Sequence, residues 1–116
     1  MPFSGPIDWD QMVWEIVRQG IKRKIVHADG CTVTFNQAEP GHQLKPHSHP
    51  HEQIVYMIEG EGDWTIDDRV YHTGPGALLV IPPNAKHFIK NTGNKTCVEL
   101  DIFVPKREDY VQSAKK

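Results

Sequence analysis

Three of the seven histidines in this 116-residue chain fall within five positions: His47, His49 and His51, in KPHSHPHEQIVYMIEG. Neutral imidazole is the commonest protein ligand for divalent metals, so metal binding is the first chemistry this cluster suggests. In extended backbone, alternate side chains share a face. His47 and His49 are then neighbours able to grip one ion, Gln53 keeps their parity, and Glu52 faces the other way. Val55 and Met57 continue the histidine face, and their apolar character turns it inward. His87, from a separate segment behind Pro82-Pro83, supplies a third imidazole. Three imidazoles and one oxygen donor suit a divalent transition metal: zinc, iron, nickel, copper or manganese. The plainer alternative is a solvated polar loop ahead of a strand. His51 matches His49 in parity, but Pro50 interrupts the pleat, so it reads as a loop residue or as a neighbour of the site. His27, His42 and His72 read as ordinary surface or turn histidines.

Asp101 is the second candidate. It interrupts the apolar run VELDIFV. Burying an unpaired carboxylate is costly, so it should face water or a polar cavity. If Leu100, Ile102 and Val104 point outward, then Glu99, Asp101 and Phe103 share the inward face with the metal ligands.

The elements that must hold these groups are short. Nine glycines and nine prolines cut the chain into pieces. Between the breaks lie IKRKIVH, CTVTFNQ, EQIVYMIE, DWTID, RVYHT, ALLVIP, KHFIKN and KTCVELDIFV, rich in β-branched and aromatic residues. Short strands at even spacing predict an all-β sandwich or barrel. TIDDRVY reads as a hairpin with Asp67-Asp68 at its turn. Residues 8–19 are the exception. Trp9, Met12, Val13, Ile16 and Val17 recur at helical spacing, which predicts a short helix capped by Asp8 and ended at Gly20. Trp14 lies off that stripe and is expected to pack on the barrel. The tail KREDYVQSAKK is polar and is expected to fray.

The spacings resemble the two motifs of the cupin superfamily. Gly41, five residues, His47-Ser-His49, three residues, Gln53, six residues and Gly60 match the first motif. Gly76, five residues, Pro82-Pro-Asn84, two residues, His87, three residues and Asn91 match the second. Gln53 stands where a Glu ligand is usual, and Asn84 where a Gly is usual; Asn tolerates positive φ better than most residues. The resemblance implies a double-stranded β-helix, or jelly-roll cupin barrel, with a metal at one open end held by His47, His49, Gln53 and His87. It also implies a single cupin domain over residues 1–116, with the core barrel at about 20–105 and a polar tail at 106–116. A neutral amide ligand leaves the ion one more net positive charge and makes it a harsher Lewis acid.

GIKRKIVHADG, HSHPHEQIVYMIEGEGDWTIDD and LDIFVPKREDYV together resemble the KdgF family, small cupins of pectin and alginate degradation. That family opens 4,5-unsaturated monouronates to the linear keto form. The resemblance adds Asp101 as proton carrier, Phe103 as a wall of the sugar pocket and Arg107 as the partner of the uronate carboxylate. Two rivals stay open at this point: a metal-dependent dioxygenase of the quercetinase-like type, and a non-catalytic cupin that binds a small molecule.

Composition trims the remaining classes. Net charge is −2 without a basic stripe, which disfavours nucleic acid. No apolar run approaches the roughly 20 residues of a membrane span. The N-terminal MPFSGPIDWDQ lacks the cationic and apolar regions of a secretory signal. Cys31 and Cys97 are too few for a disulfide framework and read as reduced thiols of a cytoplasmic protein. Exposed sheet faces favour a homodimer.

Overall fold

The computed structural model describes residues 5–114, with side chains to residue 111. Nine strands dominate it: β1 (Glu15–Arg18), β2 (Ile21–His27), β3 (Thr32–Ala38), β4 (Glu52–Glu59), β5 (Gly62–Ile66), β6 (Arg69–Thr73), β7 (Leu78–Ile81), β8 (His87–Asn91) and β9 (Cys97–Val104). All pairings are antiparallel, in a six-stranded sheet of order β1-β2-β3-β9-β4-β7 and a three-stranded sheet of order β6-β5-β8. These sheets form an all-β barrel, as the strand spacing predicts, of the jelly-roll kind that the cupin resemblance implies.

Register decides which side chains enter the barrel. Across the large sheet, Thr32, Phe103 and Gln53 form one inward row, and Thr34, Asp101 and Val55 the next. A third row runs Arg23, Asn36, Glu99 and Met57. Val55, Met57, Ile81 and Trp64 anchor the core beneath these polar groups. Leu100, Ile102 and Val104 take the opposite face, so the expected inward set of Glu99, Asp101 and Phe103 holds.

The turns follow local chemistry. Asp67 at the β5–β6 hairpin and Asn84 before β8 both adopt positive φ, 52° and 68°. Asn84 thus fills a left-handed position with one of the few non-glycine residues that tolerate it.

Three expectations fail. Residues 8–19 form no helix. A 3-10 turn spans Trp9–Gln11, capped by Asp8, and β1 follows. Val13 and Ile16, assigned to a buried stripe, are 88% and 81% exposed. Edge pairing of β1 with β2 and stacking of Trp9 and Trp14 on Phe35 win over a helical period carried by few residues. Trp14 does pack on the barrel, as expected. The tail does not fray from its start: α1 occupies Glu108–Ala114, and Arg107 ahead of it is buried. His42 is not a surface residue. It is buried, and its Nε2 accepts the Asn91 backbone N–H at 3.1 Å. Gly20 makes room for it, since a Cβ there would lie 2.6 Å from that of His42.

Cys97 is buried and Cys31 half-buried, both as free thiols. Among the described residues no helix is long and apolar enough to cross a membrane.

Candidate metal centre

His47, His49 and His87 converge at one end of the barrel, with one ligand atom from each within 4.8 Å of the others. Two elements deliver them. His49 and His47 lie on the loop entering β4, and His87 opens β8. An isolated antiparallel bridge joins the two segments: His47 N–H donates to His87 O at 3.1 Å, and His87 N–H to His47 O at 2.9 Å.

The ring nitrogens are sorted by the backbone. Each Nδ1–H donates to a carbonyl: His47 to Lys45 O at 2.8 Å, His49 to His51 O at 3.0 Å, and His87 to Ala85 O at 2.8 Å. Carbonyls only accept, so the proton of each neutral ring sits on Nδ1 and the Nε2 lone pair remains for a ligand bond. Neutrality is favoured as well. Desolvation lowers all three pKa values, that of His87 to about 4. The buried Nε2 of His87 has no hydrogen-bond partner in the protein.

Gln53 completes the group from β4. Its Oε1 lies 3.0 Å from His49 Nε2, an acceptor facing an acceptor. A cation between them would satisfy both. Asp101 lies two residues along β9 from Phe103, the register partner of Gln53, near enough for the Gln53 amide to lower its pKa. The donor set, its tautomers and this orphaned nitrogen fit a divalent transition metal.

Two carboxyls lie next to the centre. Burial pushes Asp101 up to about 8, and the Gln53 amide pulls it partly back. Burial also raises Glu99 well above the usual carboxyl range, and the neighbouring Asp101 adds to the shift. Asp101 Oδ1 and Glu99 Oε2 are buried without partners. Each costs free energy unless a ligand or proton satisfies it.

The other expected site residues are close but differently engaged. Phe103 meets His49 edge-on, with ring centroids 5.4 Å apart. Arg107 is not solvated. Its Nε and Nη2 donate to the two Asp109 oxygens at 3.0 and 2.8 Å, and its guanidinium lies over Phe103 and Tyr110. The fork expected to grip a ligand carboxylate is thus occupied by Asp109. His51 is half-buried beside His49, and its Nδ1 has no hydrogen-bond partner. His27 bonds Thr32, and His72 bridges Asp63 and Glu61 on the surface.

Arg18, Arg23, Asn36 and Trp64 share the cavity that His47, His87 and Gln53 line, and sequence reasoning missed them. The signal for Arg23 was present: it alternates in phase with Ile21 and Ile25 of β2, so parity alone turns it inward.

A barrel of this topology with a three-histidine centre at one end defines a class, and the chain belongs to the cupin family: the cupin-domain model matches residues 34–103. Within it, the chain is 31% identical over 106 residues to the pectin degradation protein KdgF of Dickeya dadantii, covering 88% of this chain and 94% of that one. The KdgF structure from Halomonas sp. superposes with a TM-score of 0.79 at 27% identity, covering 89% of this chain and 96% of the other. Dimethylsulfoniopropionate lyase DddW of Ruegeria pomeroyi is 42% identical over 91 residues, which span 75% of this chain but 57% of that lyase.

Proposed function

We propose that this cupin is a metal-dependent enzyme that opens 4,5-unsaturated monouronates to the linear keto form. The observation carrying the reading is a buried carboxyl, Asp101, lining the same cavity as Gln53, His47 and His87 of the histidine centre. Likeness to KdgF along nearly the whole of both chains supports the substrate class.

His47, His49, His87 and Gln53 would hold the ion, which would supply Lewis acidity toward a ring or hydroxyl oxygen of the sugar. The reaction is an isomerisation and needs no co-reactant. A proton leaves the C1 hydroxyl, the bond from C1 to the ring oxygen breaks, and a proton is added at C4 as the enol becomes a ketone. Asp101 carries these protons, because burial brings its pKa close to the working pH, where one group serves as both acid and base. Phe103 walls the pocket, and Arg107 braces that wall while its Asp109 partner holds its fork. The test is loss of ultraviolet absorbance of an unsaturated monouronate. The metal-loaded wild type is expected to be active, and Asp101→Asn to lose about 100-fold or more while keeping its metal. Equal rates would remove Asp101 from the reaction.

A second reading, favoured by the 42% identity to DddW, is a lyase acting on dimethylsulfoniopropionate with the same metal and the same proton carrier. Release of dimethyl sulfide without uronate turnover would select it.

The chain is also proposed to pair with a second copy through the outer face of the large sheet. Rows Leu78–Tyr56–Leu100 and Val80–Ile54–Ile102 run across that face. Leu78, Val80, Tyr56 and Val104 are all exposed there.

A further inference from the structure

The cavity that His47, His87 and Gln53 line has a volume of about 90 Å³, several times what one water needs. Its charge is divided. Asp101 and Glu99 stand on β9, and Arg18 and Arg23 stand across from them on β1 and β2. Asn36 lies between the two sides, paired in register with Arg23 on one flank and Glu99 on the other.

Arg23 is incompletely satisfied. Its Nη2 donates to Glu15 Oε1 at 2.9 Å on the solvent side, and Tyr110 covers its guanidinium at 4.1 Å. Its Nε is buried with no acceptor among the described residues. A cationic N–H removed from water without an acceptor costs more than a neutral one, and here it borders a cavity. Arg18 donates its Nε to Gln43 O at 3.0 Å and lines the same space. Two like charges on one wall disfavour each other unless an anion comes between them. Arg107, another cation near the centre, has its fork on Asp109.

We propose that Arg23, supported by Arg18, anchors the carboxylate of the ligand, so that the reacting end of the molecule is directed to the histidines and Asp101. This rests on the sugar-acid reading above and assigns its specificity to β1 and β2 rather than to the segment before α1. The planar fork of Arg23 matches a carboxylate in a way that a lysine cannot.

The test compares binding of galacturonate and of neutral galactose to the metal-loaded full chain by calorimetry. Wild type is expected to prefer the acid. Arg23→Gln is expected to weaken galacturonate by about tenfold or more and to leave galactose unchanged. Arg23→Lys keeps the charge and the packing stem, and should lose a smaller factor with an unchanged melting temperature. In turnover, the loss should appear in KM rather than kcat. Unaltered galacturonate affinity in both variants overturns the inference, as does a loss confined to Arg107→Gln. If wild type opens unsaturated uronates while Arg23→Gln keeps the wild-type KM, only the inference falls. If wild type neither binds galacturonate nor opens the uronate, the sugar-acid reading falls with it.

Discussion

The backbones of His47 and His87 hydrogen-bond to each other in both directions, at 3.1 and 2.9 Å. Two side chains that could share one ion are therefore positioned by main chain alone. Changes in the groups that merely orient a metal ligand cost about 10–100-fold in affinity, so losing a ligand should cost more. His87→Ala is expected to drop metal content to background while the bridge, which uses only backbone atoms, keeps the fold. Metal analysis together with circular dichroism checks both halves.

Gln53 acts on two neighbours: its oxygen lies 3.0 Å from His49 Nε2, and its amide lowers the Asp101 pKa. A glutamate would keep the ligand oxygen, add negative charge and lose the donor. Gln53→Glu is therefore expected to bind metal more tightly, to raise the Asp101 pKa further, and to lower turnover by about tenfold or more. Competition against a chelator and a pH–rate profile would read the two effects separately. Unchanged activity with tighter metal would show that the amide has no part in proton transfer.

In metal-free protein, the His87 and Asp101 shifts act on stability with opposite signs. The lowered His87 pKa gives stability that is complete above 6.5 and is lost as pH falls toward about 4. The raised Asp101 pKa gives stability that is complete below 3.8 and is lost as pH rises through about 8. From pH 6.5 to 8 the His87 contribution stays constant, while the buried carboxyls, and surface His72 with its raised pKa, lose theirs. The denaturation midpoint of metal-free protein should therefore fall over that window, and Asp101→Asn should make the fall shallower. A bound cation favours the carboxylate, so metal should reverse the trend.

Pairing through the outer sheet face predicts a sharp response to charge. Val80 is 54% exposed on the edge strand β7. Val80→Asp would bury a carboxylate in such an interface, and light scattering should then find a monomer with unchanged metal content. A wild-type monomer would overturn the pairing.

Much of this was legible in the sequence because β parity is a strict rule. Gln53, Val55 and Met57 entered the barrel together, and Glu99, Asp101 and Phe103 did so on β9, as alternation requires. Positive φ at Asn84 followed from residue type. What failed depended on tertiary neighbours. Periodicity cannot show that β1 finds an edge to pair with, or that Trp9 and Trp14 share Phe35. Nor can it show that Asp109, two residues on, claims the Arg107 fork, or that His42 lies against Asn91, 49 positions away.

The segment ahead of β1 makes few regular hydrogen bonds, yet Lys24 depends on it. That ammonium is buried on the outer side of β2, donates to Trp9 O at 2.7 Å, and lies 4.4 Å from the Trp14 ring. Shortening the chain to residue 15 would take from Lys24 both its acceptor and the Trp14 ring beside it, and bare the Phe35 ring, in one cut. A chain beginning at residue 15 is therefore expected to melt at a lower temperature than the full chain, because the Phe35 ring loses its aromatic cover.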